Sequence, residues 1–340
     1  MAYTLRRIVL TLPLLLVVSL LVFLVGEALP GDPAVTKFDQ KATPAVIAAW
    51  KAKQGLDRPV PERYARYVSK VVTEFDFGTS YKNDRPVGPE LRDRFAATFE
   101  LTAFAMLIAI PLGLLAGIVS AARRGTFADY LGNTLALSGI SLPVFWLGIM
   151  LTLAFSSMGY NTIGGRYDVR EFEDVVSGFS TKAYLFEALF RGEFRVALSC
   201  ASYLLVPGLA LATIPMAVIT RMTRSSVLEE TTRDYVRTAR AKGLTERWVM
   251  AKHVLKNALI PVVTIVGLQF GALLSGAVLT ETVFSWPGLG TYIVDAVRSN
   301  DSPKLVGGIL LVATTFIGVN LAVDLLYGVI DPRVRAGVES

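Results

Sequence analysis

The chain contains one cysteine, Cys200, and one histidine, His253. One of each builds neither an intrachain disulfide nor a Cys₂His₂ or HExxH metal site. Thiol and zinc-hydrolase chemistry are therefore not expected, and neither is a metal or cofactor on this chain. Cys200 reads as a small buried hydrophobe, and His253 lies in a polar segment where it needs no catalytic role. No G-x-x-x-x-G-K-[ST] run occurs, so the chain lacks a phosphate-cradling loop of its own. The remaining candidates are polar residues stranded among apolar ones. Asp324 is the carboxylate deepest inside an apolar run, and a charge there is a functional candidate by default. Because no acidic or histidine chain accompanies it, a structural role is preferred to a proton relay. It is expected to bond a neighbouring helix or a basic residue of the 221–256 segment. Gln269 and Asn320 sit mid-run and suit helix-to-helix hydrogen bonds. Glu27 and Glu281 lie at the ends of apolar runs, where water would reach them. An intramembrane enzyme would need a nucleophile–base pair or paired carboxylates at depth, and a secondary transporter would show inverted repeats and charge networks; neither pattern is found.

The elements that position these residues follow from composition. Of 340 residues, 53% are hydrophobic and 18% charged, against about 25% charged in soluble domains. The apolar residues are blocked. The runs 8–25, 101–122, 131–160, 196–220, 257–280 and 305–323 contain no charge at all. A spanning helix needs roughly 20 apolar residues, whereas the strands of a membrane barrel would alternate. The fold class expected is an all-α polytopic membrane protein with six transmembrane helices. The first run follows Arg6-Arg7 and is longer than a cleaved signal core, so it reads as a retained helix. Gly271, Gly276, Gly307, Gly308 and Gly318 suit close helix packing. Pro143 and Pro215 each remove a helix hydrogen bond and favour a kink.

Charge sets the expected orientation. Between the fourth and fifth runs nine basic residues face four acidic ones; between the third and fourth the signs balance. The excess of basic residues in short loops marks the cytoplasmic side, so both termini are expected inside. The expected layout is a terminus and first helix (1–29), an extracytoplasmic domain (30–95), a core with helices two to six and a cytoplasmic loop 221–256 (96–330), and a tail (331–340). In the outer domain Thr43-Pro44 reads as a helix start, with a helix over 45–53 stopped by Gly55. A second helix over 61–73 places Tyr64, Tyr67, Val68 and Val71 on one face. With Phe75 and Phe77 this forms an aromatic surface for a partner or an entrance. The segment 159–195 has no clear pattern. Ser285-Trp286-Pro287-Gly288 reads as a turn with its Trp at the outer interface.

The loop 221–256 is too polar for the bilayer and too regular to be unstructured. Leu228, Thr232, Tyr235 and Ala239 recur on one helical face, with Arg233, Arg237, Arg240 and Lys242 away from it. Gly243 breaks the helix. Thr245 can cap a second helix, with Glu246 in its first turn and an apolar face of Trp248, Ala251 and Leu255. Two short helices lying along the inner surface are expected. Basic charge alone fits anionic lipid; the small-residue run Ala239-Arg240-Ala241-Lys242-Gly243-Leu244 fits close approach of a cytosolic partner. Both readings stand on the residues alone.

The run from Asp234 to Leu244, Asp-Tyr-Val-Arg-Thr-Ala-Arg-Ala-Lys-Gly-Leu, continued by His253-Val-Leu-Lys-Asn-Ala-Leu-Ile-Pro261, resembles the signature of bacterial ABC-importer permeases. The branch it resembles is the dipeptide and oligopeptide family, B-type subunit. Arg237-Thr238-Ala239 stands where the general motif has Glu-Ala-Ala, without the acidic lead, and Gly243 is the motif glycine. Arg6-Arg7, Pro30-Gly-Asp-Pro33, Arg221-Met-Thr-Arg-Ser-Ser226, the run from Leu279 to Gly290 and the run from Asp324 to Arg333 match in order. The resemblance implies a type I ABC-importer permease fold in a bacterial inner membrane. It implies a non-catalytic, pore-forming subunit importing dipeptides or oligopeptides, with nickel complexes, haem or another small solute as the alternative cargo. It implies a second homologous permease, two cytosolic ATPase subunits that hold ATP and Mg, and an extracytoplasmic substrate-binding protein, alongside membrane lipid and without nucleic acid. It assigns Arg237, Thr238, Ala239, Arg240, Ala241, Lys242, Gly243 and Leu244 to a coupling helix, and Glu281, Ser285, Trp286, Pro287 and Gly288 to an external gate or path.

Overall fold

The computed structural model describes residues 2–29, 31–38, 42–160 and 164–330. Pro30 of the Pro-Gly-Asp-Pro turn, Arg333, Arg335 and the tail 331–340 lie outside the described residues. The first helices in the chain are α1 (Ala2–Glu27), α2 (Pro33–Phe38), α3 (Pro44–Gln54), α4 (Val60–Glu74), α5 (Val87–Ala122), α6 (Phe127–Ser141), α7 (Val144–Ser157), α8 (Val169–Ser177), α9 (Tyr184–Arg191) and α10 (Phe194–Thr231). Then come α11 (Asp234–Ala241), α12 (Glu246–Trp248), a π-helical turn (Val249–Val254), α13 (Leu255–Gly276), α14 (Val278–Val283), α15 (Leu289–Arg298) and α16 (Ser302–Ile330). Among the described residues there is no strand, only the isolated bridge Thr79–Pro86.

Five helical runs are long and apolar enough to cross a membrane: Val9–Glu27, Val87–Ala122, Phe194–Thr231, Glu246–Gly276 and Ser302–Leu326. The third expected span is broken. Helices α6 and α7 meet at 105°, and each rises only roughly 22 Å, short of a hydrocarbon core of about 30 Å. Pro143 sits at the break in an extended conformation, where its missing N–H and ring exclude a continuous helix. Pro215 does not interrupt α10, which stays helical through it.

Helices α5 and α10 form the centre. Gly113 and Gly117 make their contact possible, because a Cβ at these positions would lie 2.9 Å from Ile219 and 2.6 Å from Thr223. Leu101, Ala105 and Ala109 of α5 pack with Val196, Cys200 and Leu204 of α10 in one buried cluster. Helix α16 packs on α1 through Val22, Val306 and Leu310, and on α13, where Gly271 faces Val319. Gly307 and Gly308 also meet neighbours closely, whereas Gly276 and Gly318 face open space.

Helix α3 ends at Gly55, whose φ of 70° is left-handed and costs glycine little. Thr43 has the extended backbone of a helix cap, but its hydroxyl makes no capping bond. Helix α4 does not present a free aromatic face. The Tyr64 hydroxyl meets Ser19 Oγ at 2.8 Å. Phe23 lies 5.5 and 5.7 Å from the Tyr64 and Tyr67 rings. Tyr67, Val71 and Phe77 pack against α1 and α16. An amphipathic helix buries its apolar side on the nearest apolar surface, here the end of α1; of the expected aromatic surface only Phe75 is widely exposed. Arg63 clamps Glu27 with two bonds of 2.6 Å, so Glu27 is an ion-pair partner of α4 and not a solvated end group.

The segment 164–193 folds onto the N-terminal half of α5, where the Leu185 N–H donates to Glu100. Asp168 accepts from the Arg170 N–H at 3.0 Å, capping α8. Glu187 accepts from the N–H groups of Ser180 and Thr181 at 2.9 and 2.8 Å. Burial opposes ionisation of Glu187, but these bonds and Arg191 hold its carboxyl down at about 2.

Candidate coupling surface and gate

Helix α14 ends beside the apolar run of α13, and the chain reverses through Phe284–Gly288 into α15. Glu281 and Trp286 fix this corner to α5. Glu281 is 0% exposed. Its carboxylate accepts from Thr98 Oγ1 at 2.5 Å and from the Thr291 N–H at 3.1 Å. The Thr98 hydroxyl also accepts from the Leu289 N–H at 2.8 Å. The Trp286 indole donates to the Ala97 carbonyl at 2.9 Å, and its ring is 1% exposed. Both placements correct the expectation of a water-reached Glu281 and an interfacial Trp286. The reason is local: α5 begins at Val87, so its first turns stand beyond the apolar run and offer the corner a surface to bury against. Gly288 is required by contact, since a Cβ there would lie 2.1 Å from Glu281 Oε1. Ser285 adopts a left-handed φ of 51°, uncommon for a residue with a Cβ. Pro287 lines a cleft with Tyr292. The structure thus brings Glu281, Trp286 and Gly288 together. Burial raises the Glu281 carboxyl to about 6, against the opposing bonds from Thr98, Thr291 and Gly290.

A buried ion pair behind this corner has no counterpart in the sequence reading. Glu100, the last charge before the 101–122 run, pairs with Arg166, which also donates to the Lys182 carbonyl at 2.8 Å and lies over the Tyr184 ring at 4.1 Å. A carboxylate directly abutting an uncharged run is the one signal that marks it.

At the other end of the helices, α11 lies across the ends of α5, α10 and the α12–α13 run. Val236 and Ala239 insert among Ala121, Val227, Val249, Val254 and Ala258. This differs from the expected face. The chain leaves the helix at Thr232–Arg233, so Leu228 and Thr232 do not continue in phase with α11. Tyr235 is exposed, with its hydroxyl on Glu230 and accepting from Asn257 Nδ2 at 2.9 Å. Ala239 is 5% exposed and does not face a partner. The second expected helix is not separate: Glu246–Gly276 is one helical run in which the π turn shifts the phase. Val249, Val254 and Ala258 are therefore buried, whereas Trp248 and Ala251 are exposed. Thr245 has cap backbone geometry without a capping bond.

Gly243 has φ +77°, with nothing within 4 Å of a Cβ. Arg240 spans this turn, donating to Glu246 at 3.0 and 2.6 Å. Among the described residues Arg237 makes one ion pair, a distant one to Asp234 at 3.7 Å. Thr238, Ala241, Lys242 and Leu244 are exposed. The segment thus presents an open surface of two arginines, one of them paired with Glu246, one lysine, Leu244 and small side chains around a left-handed glycine. Beside it, Arg224 binds Asp129 with two bonds of 2.7 and 2.9 Å, tying the start of α6 to α10.

Asp324 pairs with Arg7 of α1 at 2.7 Å, the neighbouring-helix role expected of it. The Asn320 Oδ1 atom is buried without a partner among the described residues, so the expected helix-to-helix bond is not seen among them. Gln269 likewise makes no side-chain hydrogen bond among the described residues. Among them there is also no cluster of three or more potential metal ligands.

Residues 109–336 match the family described as binding-protein-dependent transport system inner membrane component, and residues 1–102 match that family's N-terminal component. The chain is 45% identical to the dipeptide transport system permease protein DppB of Alkalihalophilus pseudofirmus, over 98% of this chain and 99% of the relative. It is 43% identical to DppB of Escherichia coli K12, over 98% of each. It is also 43% identical to the di/tripeptide transport system permease protein DppB of Pseudomonas aeruginosa, over 98% of this chain and 99% of the relative. Two family models covering nearly the whole chain, with apolar helices able to span a bilayer, make it a multi-pass inner-membrane protein: it belongs to the binding-protein-dependent transport system inner membrane component family.

Proposed function

We propose that this chain is a pore-forming permease subunit of an ATP-driven importer that carries dipeptides and other short peptides across a bacterial inner membrane. The observation that carries this reading is identity of 43–45% over 98% of the chain to permeases named for dipeptide and di/tripeptide transport. The chain hydrolyses no nucleotide itself. It pairs with a second homologous permease, two cytosolic ATPase subunits and an extracytoplasmic binding protein, and the path lies between the two permeases. Both termini lie inside, six segments cross with α6 and α7 as one broken span, and residues 30–95 lie outside; cysteines placed at 60 and 230 label from opposite sides.

The residues 237–244 are the coupling segment. Its supports are the open surface around Gly243 and the rigid seat of Val236 and Ala239 against the ends of α5, α10 and the α12–α13 run. A push on α11 is then a push on three helices at once, the kind of two-state element that nucleotide binding can bias. Glu281, Ser285, Trp286, Pro287 and Gly288 form the external gate. Reconstituted with its partners, the complex accumulates labelled dialanine in vesicles when ATP is present on the ATPase side. Accumulation driven by an ion gradient without ATP, or none with ATP, contradicts the proposal.

A further inference from the structure

A cleft of about 960 Å³ opens directly above the α14–α15 corner, lined by charges of both signs and by tyrosines. The first turns of α5 and the length of α15 line it, together with the 82–85 loop and Arg166, Tyr167 and Tyr184. On α5, Glu90, Asp93 and Arg94 stand one to two turns beyond Ala97 and Thr98, the two residues that anchor the gate turn; spacings of three and four place Glu90, Arg94 and these anchors on one helical stripe. On α15, Asp295 and Arg298 follow Tyr292, and Pro287 of the gate turn lines the same cleft. The charges are not equivalent. Glu90 is taken by Lys304 at 2.7 Å and Arg166 by Glu100. Lys82, Arg85, Arg94 and Arg298 make no ion pair among the described residues, and neither do Asp93 and Asp295, so free cations outnumber free carboxylates in the cleft. Arg94 is half-buried, 6.0 Å from the centre of the Tyr292 ring, in a position where a cation gains from a carboxylate brought to it.

We propose that this cleft is a staging site that holds a short peptide by its two charged ends before the gate opens, with the terminal carboxylate on Arg94 and Arg298 and the terminal ammonium on Asp93 and Asp295. This rests on the peptide-importer reading above. A dipeptide has one charge of each sign at a nearly fixed separation whatever its side chains, so unpaired charges of both signs on facing walls select its backbone, and the volume leaves room for varied side chains. The site lies one helical turn from Thr98, so a ligand pulling on Arg94 acts on the helix that holds Glu281 and Trp286.

The test is saturation-transfer NMR with dialanine on the purified complete complex in detergent without binding protein, together with dialanine uptake by the reconstituted system. The wild type is expected to give a transfer signal to dialanine. Arg94→Gln is expected to abolish it and to raise the KM for uptake several-fold, Arg298→Gln to weaken it, and Arg94→Lys to restore part of it. A wild-type complex that takes up dialanine but gives no signal overturns the staging site and leaves the importer reading intact. An unchanged signal in Arg94→Gln also overturns it. So does an unchanged signal combined with loss of stimulation by the binding protein, since the cleft is then a protein-docking surface. A wild type that takes up no dialanine contradicts the importer reading itself.

Discussion

The corner 281–291 and the segment 237–244 lie at opposite ends of α5, and they are built in opposite ways. The corner from Glu281 to Thr291 has its large side chains buried and its polar groups satisfied inside the protein: Trp286 on Ala97, Thr98 and Thr291 on Glu281. The segment from Arg237 to Leu244 buries only Ala239 and otherwise presents exposed polar and small groups. Buried, fully bonded groups specify one arrangement and resist deformation, whereas exposed groups contribute little to stability and are available to a partner. The difference implies that the corner's residues are fold-determining in the single chain, while the coupling role proposed for 237–244 depends on a partner.

Substitutions should separate the two regions by size of effect. The largest is Trp286→Ala, which removes a fully buried aromatic and its hydrogen bond; a loss of about 3–5 kcal/mol is expected, read by unfolding in detergent. Thr98→Val strips both the Glu281 and Leu289 bonds and should cost about 1–3 kcal/mol. The same region gives a pH signature. Because Glu281 titrates near 6 when folded, above its ordinary 4.5, the folded state binds more protons between these values. The stabilisation contributed by this group is therefore full below pH 4.5 and is lost as pH rises through 6, by about 2 kcal/mol; Glu281→Gln should remove that component of the pH dependence. At the coupling end, Gly243→Ala meets no steric neighbour, and its left-handed backbone should cost about 1 kcal/mol. Arg237→Gln is expected to change stability by less than about 0.5 kcal/mol, yet to lower uptake. A destabilisation by Arg237→Gln as large as that by Thr98→Val would erase the contrast.

Much of this was legible from residue order. Uncharged runs mark the apolar helices because hydrocarbon tolerates few charges, Gly55 and Gly243 mark helix ends because their left-handed backbones favour glycine, and Pro143 marks the break in the third run. The faces were not legible where the helix changes period. The break at Thr232–Arg233 and the π turn at Val249–Val254 each reset the phase, so Ala239 turned inward and Trp248 outward. Nor was the burial of Glu281 and Trp286 legible, because it depends on α5 starting at Val87 with Thr98 aimed at the corner, a contact 183 residues apart in sequence. The Glu100–Arg166 pair was hidden for the same reason, its partners lying 66 residues apart.

The central claim is that residues 237–244 transmit the ATPase stroke. The direct measurement is dialanine uptake by the complete complex carrying Gly243→Glu, at membrane levels matched to wild type. The substitution lies outside the spans and meets no neighbour within the chain. It puts a charged side chain, on a strained backbone, where an ATPase subunit is proposed to approach. Uptake is expected to be lost, with the ATPase subunits shed or hydrolysing ATP without transport. Uptake at the wild-type rate would contradict the assignment of this segment as the coupling element.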